Sequence, residues 1–196
     1  MKSVCVFCAS SVGTNPAFID TTRMLGEAVA ARGLRLVYGG GRVGLMGVLA
    51  DTVLAAGGDV TGVIPRSLED REIAHHGLTE LHVTESMHAR KALMEQLADG
   101  FVALPGGFGT LDEFCEIVTW AQLGYHTKPI GLVDVNGYFS ALRTFFDRAV
   151  EAGFVRPDHR QMLLEAETPD ALLNAMAAWR PTGPPKWTRT TTPATD

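Results

Sequence analysis

The sequence predicts an α/β fold, a doubly wound parallel sheet with helices on both faces. Three observations predict it. Short apolar, β-prone runs alternate with amphipathic stretches of helical period along most of the chain. Two of those runs lead directly into glycine-rich loops that in turn open helices, at residues 39–47 and 105–109. The length of 196 residues, with 46% hydrophobic residues, suits one such domain with a core of its own.

Residues 4–9 are apolar and read as a buried strand. Asn15 followed by Pro16 gives an N-cap with proline at the first helical position. Leu25, Ala28 and Val29 recur on one face of that helix, and Gly33 ends it. A second strand at 34–38 runs into Gly39-Gly40-Gly41. A helix over 45–56 stops at Gly57-Gly58, and a third strand at 60–64 is closed by Pro65. Residues 66–77 are polar and irregular and carry no assignment. A short strand at 80–83, a helix at 88–98 and a strand at 101–104 lead to the second glycine loop. A helix at 110–123, a strand at 130–133 and helices at 138–152 and 168–179 follow. From Pro181 the composition turns to Pro, Thr and Gly. Residues 1–180 are therefore expected to form a single domain, and 181–196 a disordered tail. Strands joined by crossover helices make a Rossmann-like sheet, which binds ligands at the carboxyl ends of its strands near the switch in strand order.

The formal net charge of −5 argues against a general nucleic-acid binder, which carries a basic footprint. It leaves room for a small phosphorylated ligand, which needs only a few donors. Three cysteines, Cys5, Cys8 and Cys115, suit a reducing compartment better than a disulfide framework. The first apolar segment is too short for a signal peptide or a spanning helix, and no later run is longer, so the expectation is a cytoplasmic protein away from membranes. Cys5 and Cys8 share a strand and should point to opposite faces as core residues. The histidines show no zinc spacing, and His75-His76 are expected to be solvated.

The first glycine loop reads Gly39-Gly40-Gly41-Arg42-Val43-Gly44-Leu45-Met46-Gly47. Glycines let backbone N–H groups approach an anion at a helix start, so Gly39, Gly40, Gly41 and Gly44 are candidate phosphate-binding residues. Tight turns needing positive φ are the alternative. The spacing is neither a Walker loop nor a clean dinucleotide fingerprint, and the acidic ribose partner a dinucleotide enzyme needs is missing after the next strand. In the second loop, Thr110 and Glu113 fit a capping box, with Thr110 as N-cap. The functional alternative makes Glu113 a carboxylate at the floor of a phosphate-lined pocket. Glu116, one turn on, would join it for acid–base work or ribose binding, or the pair would merely salt-bridge on a solvated face. Arg90 shares an inward face with Leu93, Met94 and Leu97, so it needs a partner there, either a ligand or a buried carboxylate. Lys91 is four residues from Glu95, which reads as a surface pair.

Two segments together are more specific than either loop alone. Met87-His88-Ala89-Arg90-Lys91, followed by Pro105-Gly106-Gly107-Phe108-Gly109-Thr110-Leu111-Asp112-Glu113, resembles the LOG (Lonely Guy) family pattern of an Arg-Lys pair and PGGxGTxxE. Cys8-Ala9-Ser10-Ser11, the first glycine loop, Arg71-Glu72-Ile73 and the Thr119–Gly124 stretch resemble the family too, and the resemblance covers about residues 2–180. It implies a cytokinin riboside 5′-monophosphate phosphoribohydrolase, with a Rossmann-like fold, a homodimer, and neither metal nor organic cofactor. It implies catalytic roles for Arg90 and Glu113. Glu72, Lys91, Gly106, Gly107, Gly109, Thr110 and Thr119 become substrate-binding positions, with Ser10 and Glu116 as further candidates. Asp112 stands where many members have Glu, and should matter little because it points away when Glu113 points in. Members also carry a lysine decarboxylase label, which no lysine context in this sequence supports. The rival readings are a non-enzymatic nucleotide or cofactor carrier, such as the molybdenum-cofactor carriers of the same fold, and a nucleotide-dependent oxidoreductase.

Overall fold

The computed structural model describes residues 1–69 and 73–181. Strand β1 (Ser3–Phe7) is buried along its whole length and forms the middle of the sheet. Helix α1 (Pro16–Ala31) follows, with the Asn15 side chain accepting the Ala17 N–H at 3.0 Å, the N-cap that the Asn-Pro pair predicts. The chain then moves outward on one side of β1. It passes through β2 (Arg35–Tyr38), α2 (Gly44–Ala55), β3 (Val60–Pro65), the single turn α3 (Arg66–Glu69) and β4 (Glu80–Thr84). Helix α4 (Met87–Leu97) carries it back across the sheet, and β5 (Phe101–Ala103) pairs with the free side of β1. From there α5 (Phe108–Leu123), β6 (Ile130–Val133), α6 (Ser140–Glu151), the turn α7 (Pro157–Arg160), β7 (Leu163–Ala166) and α8 (Pro169–Ala178) build the other half.

All six strand pairings are parallel, in the order β4-β3-β2-β1-β5-β6-β7. The direction of winding reverses between β1 and β5, so the carboxyl ends of these two strands flank the switch point. Alternation along the strands divides the core into two layers. Val4, Val6 and Cys8 face Leu25, Val29, Leu49, Val53, Leu172 and Met176 of α1, α2 and α8. Cys5 and Phe7 face Met94, Phe114, Ile117 and Ala121 of α4 and α5. The two cysteines therefore lie on opposite faces as core residues.

The structure also departs from the sequence reading. Strand β7 and turn α7 lie in a stretch left without an element. Segment 66–77 contains one helical turn, and Ala74 bridges to Gly41. His76 is exposed, as expected, whereas His75 is only partly so: its Nε2 lies 2.9 Å from Asp51 and its Nδ1 accepts the Gly77 N–H. Residues 70–72 and almost all of the expected tail lie outside the described residues.

Candidate active site at the switch point

The two glycine loops leave the carboxyl ends of β2 and β5, on either side of β1, but meet different partners. In the first, the helix start is already in use. Leu45 N–H donates to the Ser11 carbonyl at 3.4 Å and Met46 N–H to Ala9 at 3.3 Å, so the β1–α1 loop caps α2. Gly47 N–H donates to Val43 and Arg42 N–H to Ile73. The glycines answer to crowding. Gly44 has φ +63°, and a Cβ there would stand 2.2 Å from the Ser10 carbonyl carbon. A Cβ on Gly47 would stand 2.2 Å from the Arg42 carbonyl oxygen. Gly40, at φ +74°, is in the left-handed region that glycine tolerates. Ser10 contributes its backbone to this packing and its side chain is exposed.

The second loop is open. Helix α5 begins at Phe108 with Gly107 as N-cap and no side-chain cap, so the capping box expected at Thr110 does not form. Thr110 is instead a buried residue in the first turn, and its Oγ1 occupies the space a Gly106 Cβ would need. The first helical bond runs from Leu111 N–H to the Gly107 carbonyl at 3.1 Å. The N–H groups of Phe108, Gly109 and Thr110 therefore have no acceptor within the helix, and the dipole adds partial positive charge. A Cβ at Gly107 or Gly109 would meet nothing within 4 Å. Beside this loop lies a crevice of about 370 Å³, lined by Ser11–Thr14 of the β1 loop, Phe18, Gly106, Gly107 and Tyr138.

Arg90 and Glu113 come together on the α4/α5 side of this loop, six residues along α5 from Gly107. Arg90 is 7% exposed and Glu113 9%. Arg90 Nη1 lies 3.0 Å from Glu113 Oε1, its Nε donates to the Val63 carbonyl at 2.9 Å, and its Nη2 donates to the Gly39 carbonyl at 3.2 Å. One guanidinium thus ties the ends of β2 and β3 to α5. Gly39 is glycine because the guanidinium lies on it, with Nη2 2.0 Å from where a Cβ would be. Burial pushes the Glu113 carboxyl up, the Arg90 charge pulls it down, and the balance stays above the ordinary glutamate value.

Lys91 does not pair with Glu95. Its Nζ lies 3.1 Å from Asp112 and 3.1 Å from Glu116, while Glu95 pairs with Lys128 at 2.6 Å. The lysine is largely buried, which lowers its basicity, but the two carboxylates more than offset this and hold it as an ammonium. Asp112 is tied to a candidate residue, Lys91, and its charge helps to raise the Glu113 carboxyl, neither of which the sequence reading foresaw. Thr119 stays apart: it is exposed, its hydroxyl bonds back to the Cys115 carbonyl, and it lines an apolar groove between α5 and α6. Glu72 lies outside the described residues. The crevice residues Ser11 and Tyr138 were not singled out from sequence. Among the described residues, no group of three or more His, Cys, Asp or Glu is placed to hold a metal ion, and no helix is long and apolar enough to cross a membrane.

Fold and site define a Rossmann-like α/β protein with a buried arginine–carboxylate pair beside a glycine loop at the switch point. Residues 46–176 match the family model described as "Possible lysine decarboxylase". The chain is 46% identical over 180 residues to cytokinin riboside 5′-monophosphate phosphoribohydrolase LOG5 of Arabidopsis thaliana, covering 92% of this chain and 79% of that one. It is 45% identical to LOG7 of the same plant, covering 92% and 83%. The chain belongs to the LOG family. Among solved structures, a molybdenum cofactor binding protein from Rippkaea orientalis superposes with a TM-score of 0.68 at 18% identity, covering 91% of this chain and 97% of that one. The molybdenum cofactor carrier protein of Chlamydomonas reinhardtii superposes with a TM-score of 0.67 at 20% identity, covering 91% and 100%. At these identities the likeness shows the fold alone.

Proposed function

We propose that this chain hydrolyses the N-glycosidic bond of a purine nucleoside 5′-monophosphate, of the cytokinin riboside class, to free base and ribose 5-phosphate. The observation that carries the reading is the buried Arg90–Glu113 pair beside the open second glycine loop, in a chain 46% identical to a named phosphoribohydrolase. A pure carrier has no need of a desolvated carboxylate at that place.

The 5′-phosphate is assigned to the N-terminus of α5, where Phe108, Gly109 and Thr110 offer unpaired N–H groups. Breaking the glycosidic bond builds positive charge on the ribose, and Glu113 is the carboxylate to stabilise it. Glu113 also orients water, whose oxygen bonds to the ribose carbon as the electron pair of the broken bond leaves with the base. The proton released by water ends on the base. All three Arg90 nitrogens already have protein partners, so its assigned role is to hold Glu113 ionised and in place. Lys91, Asp112 and Glu116 form a second charged cluster on the same helix pair. An ammonium held by two carboxylates is unsuited to attack a carbonyl, so Lys91 does not favour Schiff-base chemistry on lysine.

The reading extends to a homodimer. The groove between α5 and α6, about 690 Å³, is lined by Val118, Phe145, Phe146, Phe154 and Met162. Phe145 is 63% and Phe154 80% exposed, and a second copy covering them would abut the helix that carries Glu113. It would also bring Thr119 into an interface. Three free cysteines suit a reducing, cytoplasmic setting. Incubating purified protein with AMP and with isopentenyladenosine monophosphate should release free base without added cofactor. Folded protein that releases base from neither would refute the hydrolase. Sedimentation showing only monomer at micromolar concentration would refute the dimer.

A further inference from the structure

We infer that Tyr138 is a positioning residue for the 5′-phosphate, holding the second glycine loop in its binding conformation. The inference rests on the hydrolase reading for the identity of the ligand, but its geometry is independent of it. The Tyr138 hydroxyl donates to the Gly106 carbonyl at 2.7 Å.

That carbonyl belongs to the peptide between Gly106 and Gly107. Neither residue has a Cβ, so the peptide plane can turn over at little steric cost. In a trans peptide the C=O and the next N–H point in opposite directions. Fixing the Gly106 carbonyl therefore fixes the direction of the Gly107 N–H and the entry of the chain into α5. Gly107 is the N-cap of that helix, without a side-chain cap of its own. The hydroxyl of Tyr138 supplies from another element the restraint the loop lacks.

A defined turn puts it there. After β6 it turns through a single 3₁₀ turn, Val135–Gly137, in which Asn136 has φ +53° and Gly137 φ +73°. Asn136 is the one non-glycine residue with positive φ among those described. Asparagine adopts this left-handed geometry readily, and its surroundings fix the turn further. The buried Asp134 accepts the Phe139 N–H at 2.8 Å through Oδ1 and binds Arg143 through Oδ2, and Arg143 also reaches Glu165 at 2.7 Å. The Tyr138 ring stands edge-on to Phe18 at 5.5 Å and to Phe139 at 5.0 Å. Both the ring and the loop it holds line the crevice. A phenylalanine would keep every ring contact, so only the bond to the loop distinguishes tyrosine at this position.

The test is Tyr138→Phe, with ribose 5-phosphate and adenine as separate calorimetric probes and AMP as substrate. The ribose 5-phosphate Kd and the KM for AMP should each rise about tenfold, with kcat within about threefold of wild type. Adenine affinity should be unchanged, and the melting temperature should move by less than about 2 °C. An unchanged ribose 5-phosphate Kd would overturn the inference. So would a fall in kcat at constant KM, which would make Tyr138 a participant in the chemistry. Parallel loss of adenine binding and melting temperature would make its role merely structural. Should wild type bind ribose 5-phosphate without cleaving AMP, the hydrolase reading fails while the Kd comparison still decides the role of Tyr138. Wild type that cleaves AMP without binding ribose 5-phosphate overturns the inference and leaves the hydrolase reading standing.

Discussion

The glycine loop after β2 and the glycine loop after β5 look alike as text, and each joins a strand end to a helix start on the same edge of the sheet. The first spends the N–H groups of Arg42, Leu45 and Met46 on neighbouring segments of the protein, and at Gly44 and Gly47 backbone presses where a Cβ would be. The second leaves the first turn of α5 unpaired, with empty space at Gly107 and Gly109. Glycine thus serves close packing in one loop and access in the other. What separates them is the nearest acceptor: a carbonyl of a neighbouring segment in the first, and none within its own helix in the second. Arg90 connects the two, anchored on Gly39 of the first loop and paired with Glu113 on the helix of the second.

That division gives substitutions of opposite signature. Arg90→Ala should have the largest effect. It leaves Glu113 buried without its counter-charge, so turnover should disappear and stability should fall by about 3–5 kcal/mol, read by denaturant titration. Near-normal turnover in this variant would break the link between the loops. Gly44→Ala tests the packing loop. A left-handed backbone and a Cβ against the Ser10 peptide should together cost about 3 kcal/mol. Remaining folded protein should bind ribose 5-phosphate normally.

Glu113→Gln keeps the size of the side chain and should cut turnover about a hundredfold or more, while at acid pH, where Glu113 is itself neutral, the melting temperature barely moves. The same residue sets a pH signature. Because its folded value is raised by burial, activity that requires the carboxylate should fall on the acid side at a pH above the ordinary glutamate range. The linked stability has the reverse sign. The contribution of Glu113 is fully present below the unfolded value and is lost as pH rises through the raised folded value. Melting curves of wild type and Glu113→Gln should therefore diverge with rising pH, wild type losing ground. Parallel curves would show that Arg90 fully compensates the burial.

Gly109→Ala tests the access loop. A methyl there meets nothing in the protein and replaces glycine in a helix, so stability should hold or rise by up to about 1 kcal/mol. The KM for AMP should rise severalfold, since the methyl stands where an anion would approach. Asp112→Asn should give the smallest change. Its partner Lys91 keeps Glu116 and Asp112 itself is exposed, so the loss should be about 0.5 kcal/mol, a difference for denaturant titration to bound.

The alternation of strands and helices was legible because apolar period and turn residues mark it directly, and Arg90 was legible because a charge on an inward face demands a partner. The partners were not. The spacing of Lys91 and Glu95 suggested a local pair, but α5 brings Asp112 and Glu116 to the lysine, and a contact between helices leaves no mark at a spacing of four. The Thr110–Glu113 spacing mimicked a capping box because glycine at 107 can begin the helix three residues earlier at little cost. Strand β7 escaped because, at the sheet edge, only Leu163 of its four residues is buried and no period develops. The role of the first glycine loop was illegible because crowding and anion binding select the same residue.

Gly39 and Arg90 lie 51 residues apart and share one small volume, since the guanidinium occupies the place of the absent methyl. Their histories in a lineage should therefore be joined. While position 90 holds arginine, alanine at 39 would be purged by selection. A descendant that gave up the arginine would release position 39 to drift. Glycine at 39 in a distant relative would then be a trace of an arginine still at work, and its disappearance an early sign that the fold had turned to another use.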